Sequence, residues 1–124
     1  MKICIVLSTR PEIIKFAKLI KIFKQNKIDF FLINTNQHYI NIMSDVFFKY
    51  FKIPKPKYNI KAKSKTYGGF FSKTIKSIEN ILHYEKPNYL IVQGDTNTAF
   101  AGCFAASIFN KKNFNDEKKI KIIH

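Results

Sequence analysis

The chain has 124 residues, 46% of them apolar, which is enough for one domain with a buried core. It carries 22 Lys and Arg against 8 Asp and Glu, a net charge of +14, yet the basic residues are spread along the chain. With Ile, Asn and Phe abundant too, the lysine excess reads as compositional bias ahead of a nucleic-acid surface.

Cys4 and Cys103 have no C-x-x-C spacing, which excludes a disulfide framework and a cysteine zinc site. No run of about 18 apolar residues offers a membrane span. Met1-Lys2 leads into too few apolar residues for a secretory leader, so a cytoplasmic location is expected.

Lys2–Leu7 is apolar on both faces and runs directly into Ser-Thr-Arg-Pro, which predicts a buried parallel strand followed by a helix start. Thr9 can cap that helix and Pro11 suits its first turn. Residues 12–26 then read as helix, with Ile13, Phe16, Ala17, Ile20 and Phe23 forming the apolar stripe.

Residues 29–35 are a second strand, followed by Asn36-Gln37-His38 and a helix over about 41–51. Ile42, Val46, Phe47 and Tyr50 are expected on its inner side. The lysine- and proline-bearing stretch 53–65 lacks periodicity and reads as surface loop. Phe71, Ile75, Ile78 and Leu82 mark an amphipathic helix from Gly68-Gly69 to about Tyr84.

Pro87 ends that helix, residues 89–93 are a third strand, and Gly94-Asp95-Thr96 is its turn. Residues 98–109 form a helix of small residues and Phe, a composition that suits close packing on a sheet. Residues 111–119 read as polar loop and 121–124 as the start of another strand. The order predicts an α/β fold: a Rossmann-like parallel sheet with flanking helices. A unit of this kind runs on into another loop and helix, so residues 1–124 are expected to be a partial domain.

In open parallel sheets, ligands bind outside the carboxyl ends of the strands. Three polar clusters fall there: Ser8-Thr9-Arg10, Gln37-His38 and Gly94-Asp95-Thr96. Arg10 is the only arginine beside 21 lysines. A guanidinium presents a rigid fork to two phosphate oxygens, which a lysine does not. Ahead of a helix it would join free backbone N–H groups in an anion site, so phosphate contact is favoured over a surface ion pair.

Lys15 can add a second positive charge or stand in solvent like Lys18 and Lys21. Asp95 can cap the next helix or serve as an acid–base carboxylate; Thr96 and Thr98 can donate to phosphate or cap. His38 is a ligand, a base or a structural residue, and His83 suits a helix C-terminus. No H-E-x-x-H, P-loop or G-x-G-x-x-G is present.

Taken in order, STRPEIIK, TNQHY and VQGDTNTAFAG resemble the amino-terminal part of the non-hydrolysing UDP-N-acetylglucosamine 2-epimerases. That pattern runs G-T-R-P-E, G-Q-H and G-D-T. The resemblance implies the amino-terminal domain of a GT-B-like two-domain enzyme of polysaccharide biosynthesis, its second, UDP-binding domain lying outside these residues. It further implies interconversion of UDP-GlcNAc and UDP-ManNAc, with no organic cofactor and no required metal, through elimination of UDP to a 2-acetamidoglucal and re-addition.

By the same resemblance Arg10 and Lys15 contact substrate, Asp95 is catalytic, and Gln37, His38, Gly94 and Thr96 line the site. The full-length protein is expected to be a homodimer with neither nucleic-acid nor membrane partner, and the segment alone to be inactive. Ser8 stands in place of the pattern's glycine, and 111–119 looks like an insertion. The alternatives are a hydrolysing relative, an epimerase of another sugar, a GT-B glycosyltransferase, or a basic α/β module for polyanions.

Overall fold

The computed structural model describes residues 1–36, 41–112 and 118–124. Its elements in chain order are β1 (Lys2–Leu7), α1 (Arg10–Gln25), β2 (Asp29–Asn34), α2 (Asn41–Tyr50) and β3 (Tyr58–Asn59). There follow α3 (Tyr67–Glu85), β4 (Tyr89–Ile91), α4 (Asn97–Lys112) and β5 (Lys121–Ile123). The five strands form one parallel sheet in the order β3-β2-β1-β4-β5.

From β1 the chain builds outward through β2 to β3, then crosses back to place β4 on the other side of β1. The β1/β4 junction is therefore the topological switch point, where doubly wound sheets open a crevice.

Alternation along β1 divides the core. Ile3, Ile5 and Leu7 pack with Ile13, Phe16, Ala17, Ile20 and Phe23 of α1, while Cys4 and Val6 pack with α3 and α4. The α1 stripe is the one its periodicity predicts. α4 lies close on the other face because Gly102 leaves room: a Cβ there would come within 3.0 Å of Val92 Cγ1.

Two expectations need correction. On α2, Val46 and Tyr50 are exposed, and among the described side chains of that helix it is Phe48 that is buried. It packs into the cluster formed by the α1 stripe, with Phe47 partly covered beside it; Ile42 lies outside the described side chains. Residues 53–65 are not simply surface loop. They contain β3, which pairs with Ile33 and Asn34, and they bury Ile53, Ile60 and Ala62. A two-residue edge strand leaves no alternation to read. At the other end, Lys111 and Lys112 finish α4, and Asn110 exchanges two hydrogen bonds with the backbone of Ile120.

Thr74, in α3, is fully buried, and its hydroxyl has no hydrogen-bond partner among the described residues. Thr74→Val keeps the shape and removes the unpaired group, so it is expected to stabilise the chain by about 1 kcal/mol. Equilibrium urea unfolding checks this; a lower midpoint would count against it.

Candidate functional site at the β1/β4 crevice

The turn after β1 is short. Thr9, in extended backbone, is the N-cap residue of α1, with Arg10 and Pro11 opening the helix. Glu12, the third helical residue, reaches back. Its Oε2 accepts hydrogen bonds from the backbone N–H of Ser8 at 2.9 Å and of Thr9 at 2.6 Å. Its Oε1 accepts from the Thr96 hydroxyl at 2.6 Å. Glu12 is only 3% exposed.

This corrects the expectation of free backbone N–H groups beside Arg10. The Ser8 and Thr9 amides already hold an anion, and that anion is the protein's own carboxylate. Ser8, in place of glycine, causes no strain: left-handed backbone outside glycine is confined, among the described residues, to Lys27, Asn36, Lys52 and Lys86.

Across the crevice, Gly94 takes φ +77°, the left-handed region that favours glycine, and turns the chain from β4 toward α4. Thr96, rather than Asp95, caps α4: its hydroxyl accepts from the N–H of Ala99 at 3.1 Å. With that hydroxyl's one proton given to Glu12, Thr96 has none to offer a phosphate. Asp95 is left exposed at the rim. His124, just past β5, donates from Nε2 to the carbonyl of Gly94 at 2.8 Å.

Arg10 is exposed at the start of α1, its guanidinium 5.7 Å from the centre of the Phe47 ring. Lys15, also exposed, lies about 7.5 Å further along the helix axis. The third wall starts at the end of β2. There Thr35 and Thr98, both fully buried, share a hydrogen bond at 2.7 Å. Asn36, in left-handed backbone, donates to the carbonyl of Ile60 and exchanges hydrogen bonds with Asn34. Gln37 and His38 follow directly but lie outside the described residues.

The structure thus brings the Arg10 turn, the Asp95 turn and the end of β2 to one edge of the sheet. Neither the resemblance nor the polar clusters single out Glu12, although Thr9-Arg-Pro-Glu12 is a capping-box signature. Thr35 and His124 carry no comparable signal, because their partners, Thr98 and Gly94, are distant in the chain. Among the described residues no group of three His, Cys, Asp or Glu could hold a metal ion, and no helix is long and apolar enough to cross a membrane.

Several lysines serve the fold: Lys2 and Lys57 pair with Glu85, and Lys112 with Glu79. A cavity of about 330 Å³ bordered by Lys24, Lys49, Lys52 and Lys55 lies at the far end of α1 from Arg10.

A sequence profile described as UDP-N-acetylglucosamine 2-epimerase matches residues 20–112. The chain belongs to the UDP-N-acetylglucosamine 2-epimerase family. It is 46% identical over 107 residues to the UDP-N-acetylglucosamine 2-epimerase of Methanocaldococcus jannaschii, covering 86% of this chain and 29% of that protein. The crystal structure of the same archaeon's epimerase in complex with UDP-GlcNAc and UDP superposes with a TM-score of 0.83 at 44% identity. That match covers 89% of this chain and 30% of the other.

A UDP-2,3-diacetamido-2,3-dideoxy-D-glucuronate 2-epimerase of Pseudomonas aeruginosa is 36% identical over 108 residues, 86% of this chain and 30% of its own length. This family member therefore spans less than a third of the relatives it matches, and its parallel sheet with flanking helices is theirs in that portion.

Proposed function

We propose that this chain is the amino-terminal part of an enzyme that interconverts UDP-GlcNAc and UDP-ManNAc, by eliminating UDP to a 2-acetamidoglucal and re-adding it with C2 inverted. One observation carries the reading. In a chain of this family, the Glu12 carboxylate links the S-T-R-P-E turn to the G-D-T turn at the sheet's switch point.

Cleaving the anomeric C–O bond leaves negative charge on the departing diphosphate, which Arg10 and Lys15 would stabilise. Asp95, exposed at the rim, would move a proton at the sugar, with Gly94, Gln37 and His38 shaping the walls. Thr96 would act through its bonds to Glu12 and Ala99, holding Asp95 in place. One carboxylate does not serve both faces of C2. We therefore assign the second acid–base group, and the uridine-binding domain of a GT-B-like pair, to the portion of the relatives that this chain does not span.

A homodimer belongs to the same reading. The half-exposed, stacked Phe100 and Phe104 on α4, with Phe71 edge-on to Phe100, support a subunit contact there. A cytoplasmic role in polysaccharide synthesis follows from the substrate.

The test is to incubate the full-length protein with UDP-GlcNAc in D₂O and follow the products by NMR. UDP-ManNAc carrying deuterium at C2 is expected, and none from the 124-residue segment alone. Absence of turnover by the full-length protein, or product without deuterium, would overturn the assignment. The Pseudomonas aeruginosa relative favours one second reading, the same reaction on a diacetamido uronic-acid sugar, which offering that nucleotide sugar in parallel distinguishes.

A further inference from the structure

Glu12 sits between the two turns of the crevice and takes no direct part in the chemistry assigned to either. At 3% exposure it is shielded from any ligand in the crevice, yet its carboxylate is fully engaged. Two of its donors, the Ser8 and Thr9 N–H groups, belong to the turn that delivers Arg10. The third, the Thr96 hydroxyl, belongs to the turn that delivers Asp95.

Thr96 is held from its other side by the N–H of Ala99, so the link runs on into the first turn of α4. A capping box normally serves one helix. Here the same carboxylate serves two, one on each face of the sheet.

We propose that Glu12 is a positioning residue that sets the spacing and orientation of Arg10 relative to Asp95; the proposal rests on the epimerase reading above. An ionised carboxylate is suited to this place because it only accepts, and all three groups facing it donate. A glutamine can still accept from Ser8 and Thr9. Toward Thr96 it must then turn an N–H, so the Thr96 hydroxyl can no longer donate to residue 12 and has to turn its proton away, which loosens the link between the two turns. An aspartate is one methylene too short to span both turns. Misplacement by about 1 Å of groups that act on the transition state lowers turnover by about 10²-fold.

The experiment uses the full-length protein with Glu12→Gln, Thr96→Val and Thr96→Ser, each checked by circular dichroism. Glu12→Gln and Thr96→Val are expected to lose about 10²-fold in kcat, with most of the effect in kcat rather than KM. Thr96→Ser, which keeps the hydroxyl, is expected to recover most of the loss seen in Thr96→Val. A folded Glu12→Gln with wild-type kcat, or a Thr96→Ser as slow as Thr96→Val, overturns the proposal.

If Glu12→Gln does not fold, the Thr96 pair decides, since it leaves the Ser8 and Thr9 bonds intact. Wild-type protein without turnover would remove the epimerase reading and leave the link to be judged by NMR. Shifts of the Gly94 and Asp95 amides in Glu12→Gln then support it, and changes confined to residues 8–13 overturn it.

Discussion

Replacing Glu85 by glutamine is expected to lower the stability of the chain at neutral pH by on the order of 3 kcal/mol. Glu85 ends α3 and is 6% exposed, a costly place for a charge and the wrong end of a helix for an anion. Three donors offset this. Lys2 reaches it from the start of β1, Lys57 Nζ lies 2.5 Å from Oε1, and the Tyr58 hydroxyl donates to the same oxygen at 2.5 Å.

Burial pushes the carboxyl up, but the hydrogen bonds from Lys2, Lys57 and Tyr58 outweigh it and hold the group at about 2, against an ordinary 4.5. Because the folded value is the lower one, the contribution is complete above pH 4.5 and is lost as pH falls from there toward 2. Tyr58 is displaced the other way. Burial and the Glu85 charge push it up to about 12, so its contribution holds below pH 10 and is lost as pH rises toward 12.

Urea unfolding between pH 7 and pH 2 reads the Glu85 effect. The wild-type chain is expected to weaken steeply below pH 4.5, and Glu85→Gln to start lower and fall less. Parallel profiles for the two chains would show that the carboxylate does not tie β1 and β3 to α3.

The second large effect is functional. Arg10→Lys in the full-length protein is expected to reduce kcat/KM for UDP-GlcNAc by about 10²-fold, the scale seen when one preorganised donor to a developing anion is removed. Charge is conserved in this substitution, so any loss reports the guanidinium's shape: its planar fork and its seat 5.7 Å from the Phe47 ring. Arg10 is exposed at the first position of α1, so the unfolding midpoint should barely move. Steady-state kinetics beside urea unfolding separate the two. Wild-type kcat/KM with lysine at this position would show that the lone arginine is not needed for its fork.

The elements that could be read in advance share one property. β1 and α1 are each made by neighbours in sequence: five consecutive buried residues in one, and a 3.6-residue stripe from Ile13 to Phe23 in the other. The turn chemistry was equally local, with Thr9, Pro11 and Gly94 at the places their backbone preferences suit. β3 and the buried face of α2 were not legible. Tyr58 and Asn59 become a strand because the edge of β2 offers them partners. Phe48 is buried where Val46 and Tyr50 are exposed because it packs into the cluster with the α1 stripe, a tertiary contact that no periodicity within α2 records.

The same division runs through the site. By itself the sequence determined the parallel α/β fold, the placing of Arg10, Gly94 and Asp95 just past strand ends, and the kinship with the epimerase family, because each follows from short-range pattern or ordered motifs. Only the tertiary structure decided how those residues are held. Glu12 and Thr96 are 84 positions apart, and Thr35 and Thr98 are 63 apart, so their hydrogen bonds exist only once β4 has been laid beside β1. The bonds that Glu12 accepts from the N–H groups of Ser8 and Thr9 are local, a capping box that the turn forms by itself. The tertiary fold adds the bond from Thr96, and with it the tie between the Arg10 turn and the Asp95 turn.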